Sequence, residues 1–149
     1  MAERTFPGIA EHPDILALRA HSERATTNVV AQVLEGLGLL AGLYLAASAW
    51  IVGFEGSLPT LAVTNLIAGV AYVFFMGGGG FGSAYERTHA MSWAAAGIGV
   101  FTIIAPWAVN ASRNAHTTAE VVSNVIVGGL AVCFAAGTAV LGMMASRRS

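Results

Sequence analysis

Two asparagines stand inside apolar stretches of this chain, each followed four residues later by glycine: Asn65-x-x-x-Gly69 and Asn124-x-x-x-Gly128. A primary amide carries two N–H donors and one carbonyl acceptor. Placed away from water, it is costly unless bonded. Two chemistries fit the pattern. A spacing of four puts amide and glycine on one helix face, where glycine admits a neighbouring backbone and the amide bonds across the contact. Alternatively, the two amides line a site for a small ligand or an ion. Glu35 is the acidic residue that reads as intramembrane, about two turns into its apolar run, and such acids are functional candidates. Its shallow depth also suits headgroup water or a pairing with Arg87, part of the polar cluster Glu86-Arg87-Thr88-His89.

Little else has the spacing of a reactive site. The histidines are His12, His21, His89 and His116, and no two are three or four residues apart as a helical metal site requires. Gly77-x-Gly79-x-x-Gly82 has the spacing of a dinucleotide fingerprint but follows an apolar helix rather than a strand. All seven basic residues are arginine, so there is no Walker lysine. Cys133 is the single cysteine and reads as a small buried hydrophobe. Asn110-Ala111-Ser112 is an incidental sequon. No catalytic residue, cofactor or metal site is expected, and the chain does not read as an enzyme.

Composition decides what must hold these residues. At 56% hydrophobic and 10% charged residues, with mean hydropathy +0.69, the chain is too apolar for a soluble domain. A net charge of −1 offers no basic patch for nucleic acid. Four apolar runs, about 29–54, 59–76, 89–109 and 118–144, are each near the ~20 residues that cross a bilayer. Backbone in lipid must satisfy its own hydrogen bonds, so the runs predict helices. No alternation of apolar and polar residues suggests a barrel. The late, long first run predicts an uncut signal-anchor rather than a cleaved signal peptide.

Four spans place both ends of the chain on one side. That side collects Arg4, Arg19, Arg24, Arg87, Arg147 and Arg148, against Arg113 on the other. The positive-inside rule therefore predicts cytoplasmic termini in a multi-pass protein of the cell membrane. Residues 1–28 form an N-terminal tail, in which 13–25 is either disordered or a short interfacial helix. Residues 29–82 hold a first helix pair and a glycine loop, 83–144 a second pair, and 145–149 a C-terminal tail. Pro59 suits the first turn of the second helix, Pro106 the end of the third, and Thr117-x-x-Glu120 a capping box for the fourth.

The two pairs repeat one another. Ser48-Ala49-Trp50 recurs as Ala105-Pro106-Trp107, with the tryptophans 57 residues apart, and Asn65 recurs as Asn124, 59 residues on. Gly42 aligns with Gly99, and Tyr44 with Phe101. Units of two spans insert in the same direction, as a parallel repeat about an axis along the membrane normal. Trp50 and Trp107 fall at the outer helix ends, as an aromatic belt or as donors locking each helix to the next. Small-residue stripes at Gly38/Gly42, Ala95/Gly99 and Ala135/Ala139 allow close packing.

These motifs resemble the SPW repeat family, bacterial and archaeal membrane proteins named for Ser-Pro-Trp, with one helix pair per repeat. The first copy keeps Ser48 and Trp50 with Ala49 in the proline position. The second keeps Pro106 and Trp107 with Ala105 in the serine position. The similarity runs from about Val33 to Leu141. It implies an all-α membrane architecture of four transmembrane helices in a bacterial inner membrane, and no activity. The leading expectation is a non-enzymatic structural or accessory membrane component, partnered by the bilayer and by copies of itself or a larger membrane complex. The alternative is an oligomeric small-molecule or ion transport or binding protein with a polar site between the repeats.

Overall fold

The computed structural model describes residues 12–17, 29–77, 84–110 and 118–147. Expectations for 18–28, for the loop glycines after Gly77, for Thr117, for Ala111 and Ser112, and for the Arg87 and His89 side chains lie outside the described residues. Four helices follow in order: α1 (Val29–Val52), α2 (Pro59–Met76), α3 (Ala84–Asn110) and α4 (Thr118–Ser146). Each contains a stretch long and apolar enough to cross a membrane: Val29–Val52, Pro59–Met76, Ala90–Val109 and Thr118–Met144. In the tail, residues 13–17 are helical, with His12 and Asp14 paired at 3.5 Å.

Sequence and structure part at one boundary. The third helix begins at Ala84, five residues before the apolar run. Residues such as Glu86 and Arg87 have ordinary helix propensity, so a helix extends through them although hydrocarbon would not accept them. It also passes Pro106 and continues to Asn110.

The helices pack as a ring: α1 against α2, α2 against α3, α3 against α4, and α4 back against α1. Glycine sets the closest approaches. A Cβ on Gly69 would stand 2.6 Å from the Gly42 carbonyl oxygen and would also strike the Ala46 backbone. A Cβ on Gly128 would stand 2.8 Å from the Gly99 carbonyl oxygen and 3.0 Å from the Ile103 nitrogen. The small residues thus bring α1 onto α2 and α3 onto α4, backbone to backbone.

Between α1 and α2 the chain turns at Gly53, whose φ of 82° is the left-handed conformation that glycine adopts without strain. The Gly53 and Phe54 amides both donate to the Ala49 carbonyl at 2.9 Å. Phe54 and Leu58 then fold inward and close this end of the bundle against Ala49, Leu61, Ala62 and Ala105. Outward, the surface is apolar over its length: Leu40, Ile51, Ile67, Val70, Phe74, Ile104 and Ile126 are all at least half exposed. Such a surface suits lipid, not water. Cys133 belongs to it, being exposed on α4. The expectation of a buried thiol was wrong, because in a membrane span apolar character does not distinguish the inside of the bundle from the outside.

Candidate functional site

Asn65 on α2 and Asn124 on α4 face each other across the middle of the ring. They are 1% and 0% exposed. Asn65 Nδ2 donates to Asn124 Oδ1 at 2.9 Å, and Asn124 Nδ2 donates to Asn65 Oδ1 at 3.2 Å. Each amide thereby satisfies the other's carbonyl. The second N–H of Asn65 goes to the Ser48 hydroxyl on α1 at 3.0 Å, and that hydroxyl donates to the Leu45 carbonyl at 2.7 Å. Three helices are therefore tied by one buried polar cluster, enclosed by apolar neighbours in which unpaired polar groups would be costly.

The sequence pattern identified the amides and their shared face with glycine, but divided the work differently. Gly69 and Gly128 serve contacts within each helix pair, whereas the asparagines reach between the pairs. A second bond spans the same two helices. Tyr72 is fully buried, and its hydroxyl donates to the Ala131 carbonyl at 2.7 Å. Tyr72 and Ala131 are 59 residues apart, the separation of Asn65 and Asn124. Tyr72 carried no sequence signal beyond its being a hydroxyl within an apolar run.

Other polar side chains are held locally. Thr102 donates to the Ile98 carbonyl at 2.9 Å, and Thr64 to the Thr60 carbonyl at 2.8 Å. Thr138 donates to the Ala135 carbonyl at 2.8 Å and lies 3.2 Å from the Ser92 hydroxyl. Such back-bonds let hydroxyls sit in a span without an outside partner. Tyr44 on α1 meets Ser123 on α4, hydroxyl to hydroxyl, at 3.2 Å.

Glu35 is exposed on α1, with no ion pair among the described residues, and is not brought to the central cluster. Glu120 is the acid that the bundle encloses, at 0% exposure, in the first turn of α4. Its place in a capping pattern concealed that it also lies on the inward face, four residues before Asn124. Trp50 and Trp107 are 56% and 49% exposed. Neither indole donates to another helix among the described residues, and both face outward. Pro106 and Ser48 are fully buried.

A groove of about 530 Å³ opens on the outside between α2 and α3, lined by Thr64, Ala68, Ala71, Ala94, Gly97 and Phe101 among others. Its walls are apolar, with the Thr64 hydroxyl turned to its own helix. The central cluster does not open into it, since neither asparagine is among its lining residues.

The family profile described as the SPW repeat domain matches residues 32–138. No curated protein matches the chain, and no solved structure does.

Proposed function

This chain belongs to the SPW repeat family, and from that premise we propose a non-enzymatic, multi-pass component of a bacterial cytoplasmic membrane, structural or accessory to a larger assembly. The observation that carries this reading is the central amide pair. Asn65 and Asn124 spend their carbonyls on each other rather than presenting them to a cavity. A cation at this point would have to break two buried hydrogen bonds to reach either carbonyl oxygen. The apolar outer faces offer lipid, or another membrane helix, a surface of matching chemistry.

In this reading the two helix pairs are parallel repeats about a pseudo-twofold axis along the membrane normal. Residues that touch their own counterparts lie on such an axis, and Asn65 with Asn124 and Tyr72 with Ala131 are such couples. Both termini face the cytoplasm, following the arginines. The partners are the bilayer, further copies of the chain or other membrane proteins, and no nucleic acid.

Purification in a mild detergent, followed by mass measurement and identification of co-purifying chains, tests the proposal. A stable complex with other membrane proteins supports the accessory role. A homo-oligomer enclosing a continuous polar channel would overturn it in favour of transport. The orientation is tested separately, by a C-terminal reporter active only in the cytoplasm.

A further inference from the structure

The Ser48 hydroxyl performs two tasks in the first helix pair: it accepts from Asn65 Nδ2 at 3.0 Å and donates to the Leu45 carbonyl at 2.7 Å. The second pair is built in the same register. Gly99 and Gly128 meet as Gly42 and Gly69 do. Ala105 follows Gly99 by six residues, as Ser48 follows Gly42, and each asparagine precedes its glycine by four. Ala105 thus stands in the serine position opposite Asn124. It is fully buried, and its methyl group can neither accept nor donate.

Pro106 removes another donor. In a helix the N–H of each residue bonds the carbonyl four residues back. Ala49 serves the Leu45 carbonyl in this way, but Pro106 has no N–H for the carbonyl of Thr102. Thr102 cannot serve itself, because its hydroxyl is turned to Ile98. Asn124 gives one N–H to Asn65, and its second N–H has no partner among the described residues, although the side chain is 0% exposed. One donor on α4 has no protein acceptor among the described residues, and one carbonyl on α3 has lost its usual helical donor. The hydroxyl that would join them is the one that Ala105 lacks.

We propose that a single water molecule binds against Ala105, accepting the second N–H of Asn124 and donating to the carbonyl of Thr102. It does for the second helix pair what the Ser48 hydroxyl does for the first. The ligand must both accept and donate, and must be about the size of a hydroxyl. A cation is repelled by the N–H, an anion by the carbonyl, and hydrocarbon satisfies neither. Buried waters occur at such sites, where polar groups otherwise lack partners.

Substitution at position 105, followed by thermal unfolding in detergent, tests the site. Ala105→Ser puts a covalent hydroxyl where the water binds and releases it. The midpoint is expected to rise by about 2–5 °C. Ala105→Cys adds a group of similar shape but weak hydrogen bonding, and is expected to lower it. Equal shifts for both variants would mean that only packing responds, and would overturn the proposal. A crystal structure at high resolution reads the same point directly. Density for a water within hydrogen-bond distance of Asn124 Nδ2 and the Thr102 carbonyl oxygen is expected. An empty site, or a side chain filling it, would overturn the proposal even if both variants failed to fold.

Discussion

In the first helix pair, Ser48 and Ala49 stand where the second has Ala105 and Pro106. On the flank between α4 and α1, Tyr44 reaches Ser123. On the opposite flank the corresponding residue is Phe101, which has no hydroxyl to offer, and a groove of about 530 Å³ opens there. Where α1 carries Leu37 and Leu40, α3 carries Ala94 and Gly97. The glycine contacts within each pair are nevertheless alike, and the asparagines occupy matching places. Close backbone approach leaves no freedom of choice, and it is alike in both halves. Side-chain partners are interchangeable, and there the halves differ.

Substitutions made in both halves test how far this unevenness goes. The largest effect is expected at the amides. Asn65→Leu removes both bonds that the Asn124 amide makes to protein, at about 1–3 kcal/mol for each buried group left unpaired, while the Ser48 hydroxyl keeps its bond to the Leu45 carbonyl. Asn124→Leu leaves Asn65 still bonded to Ser48, so its unfolding midpoint should fall less. Equal losses would erase the distinction between the halves. The double substitution should cost less than the sum, since no amide is then left without its partner.

Gly69→Ala comes next. The new methyl meets backbone on α1 that cannot turn aside, and a loss near the upper end of about 1–3 kcal/mol is expected. Gly128→Ala meets slightly longer contacts and should cost less; a larger loss at Gly128 would reverse the reading of which pair is tighter. Ser48→Ala makes the first half like the second and frees one Asn65 N–H, for about 1 kcal/mol in thermal unfolding. Tyr44→Phe copies Phe101 into α1 and removes one interhelical hydroxyl contact. A loss of about 0.6 kcal/mol or less is expected, the typical worth of such a bond in a membrane. A loss as large as that of Ser48→Ala would move the stabilising asymmetry from the centre to the flank.

Much of the fold was legible in the sequence, because an apolar run of some twenty residues has only one structure open to it in lipid. The boundaries at Val29, Pro59 and Thr118 follow from that. The start at Ala84 does not, since hydropathy marks where hydrocarbon begins and not where a helix does. Asn65 and Asn124 were legible as residues needing partners, but which partner each takes depends on the ring order of the helices. Ser48 was visible only as a motif letter. Its bond to Asn65 needs α1 and α2 in register, and a serine can also satisfy itself on its own helix. The exposure of Cys133 and the burial of Glu120 were not legible, for related reasons. Apolar character says nothing of inward or outward in a membrane, and a residue in a first turn still has a face.

The amide pair is its own complement: each asparagine offers the other what it asks for. Two separate helix pairs carrying one such residue each would meet only as often as their concentration in the membrane allowed. Here both are on one chain, and joining two partners covalently replaces that concentration with an effective one on the order of millimolar for a short flexible link. The contact between Asn65 and Asn124 is therefore indifferent to dilution. Expression level, membrane area and detergent volume drop out of its equilibrium, and the closing of the bundle becomes a first-order event.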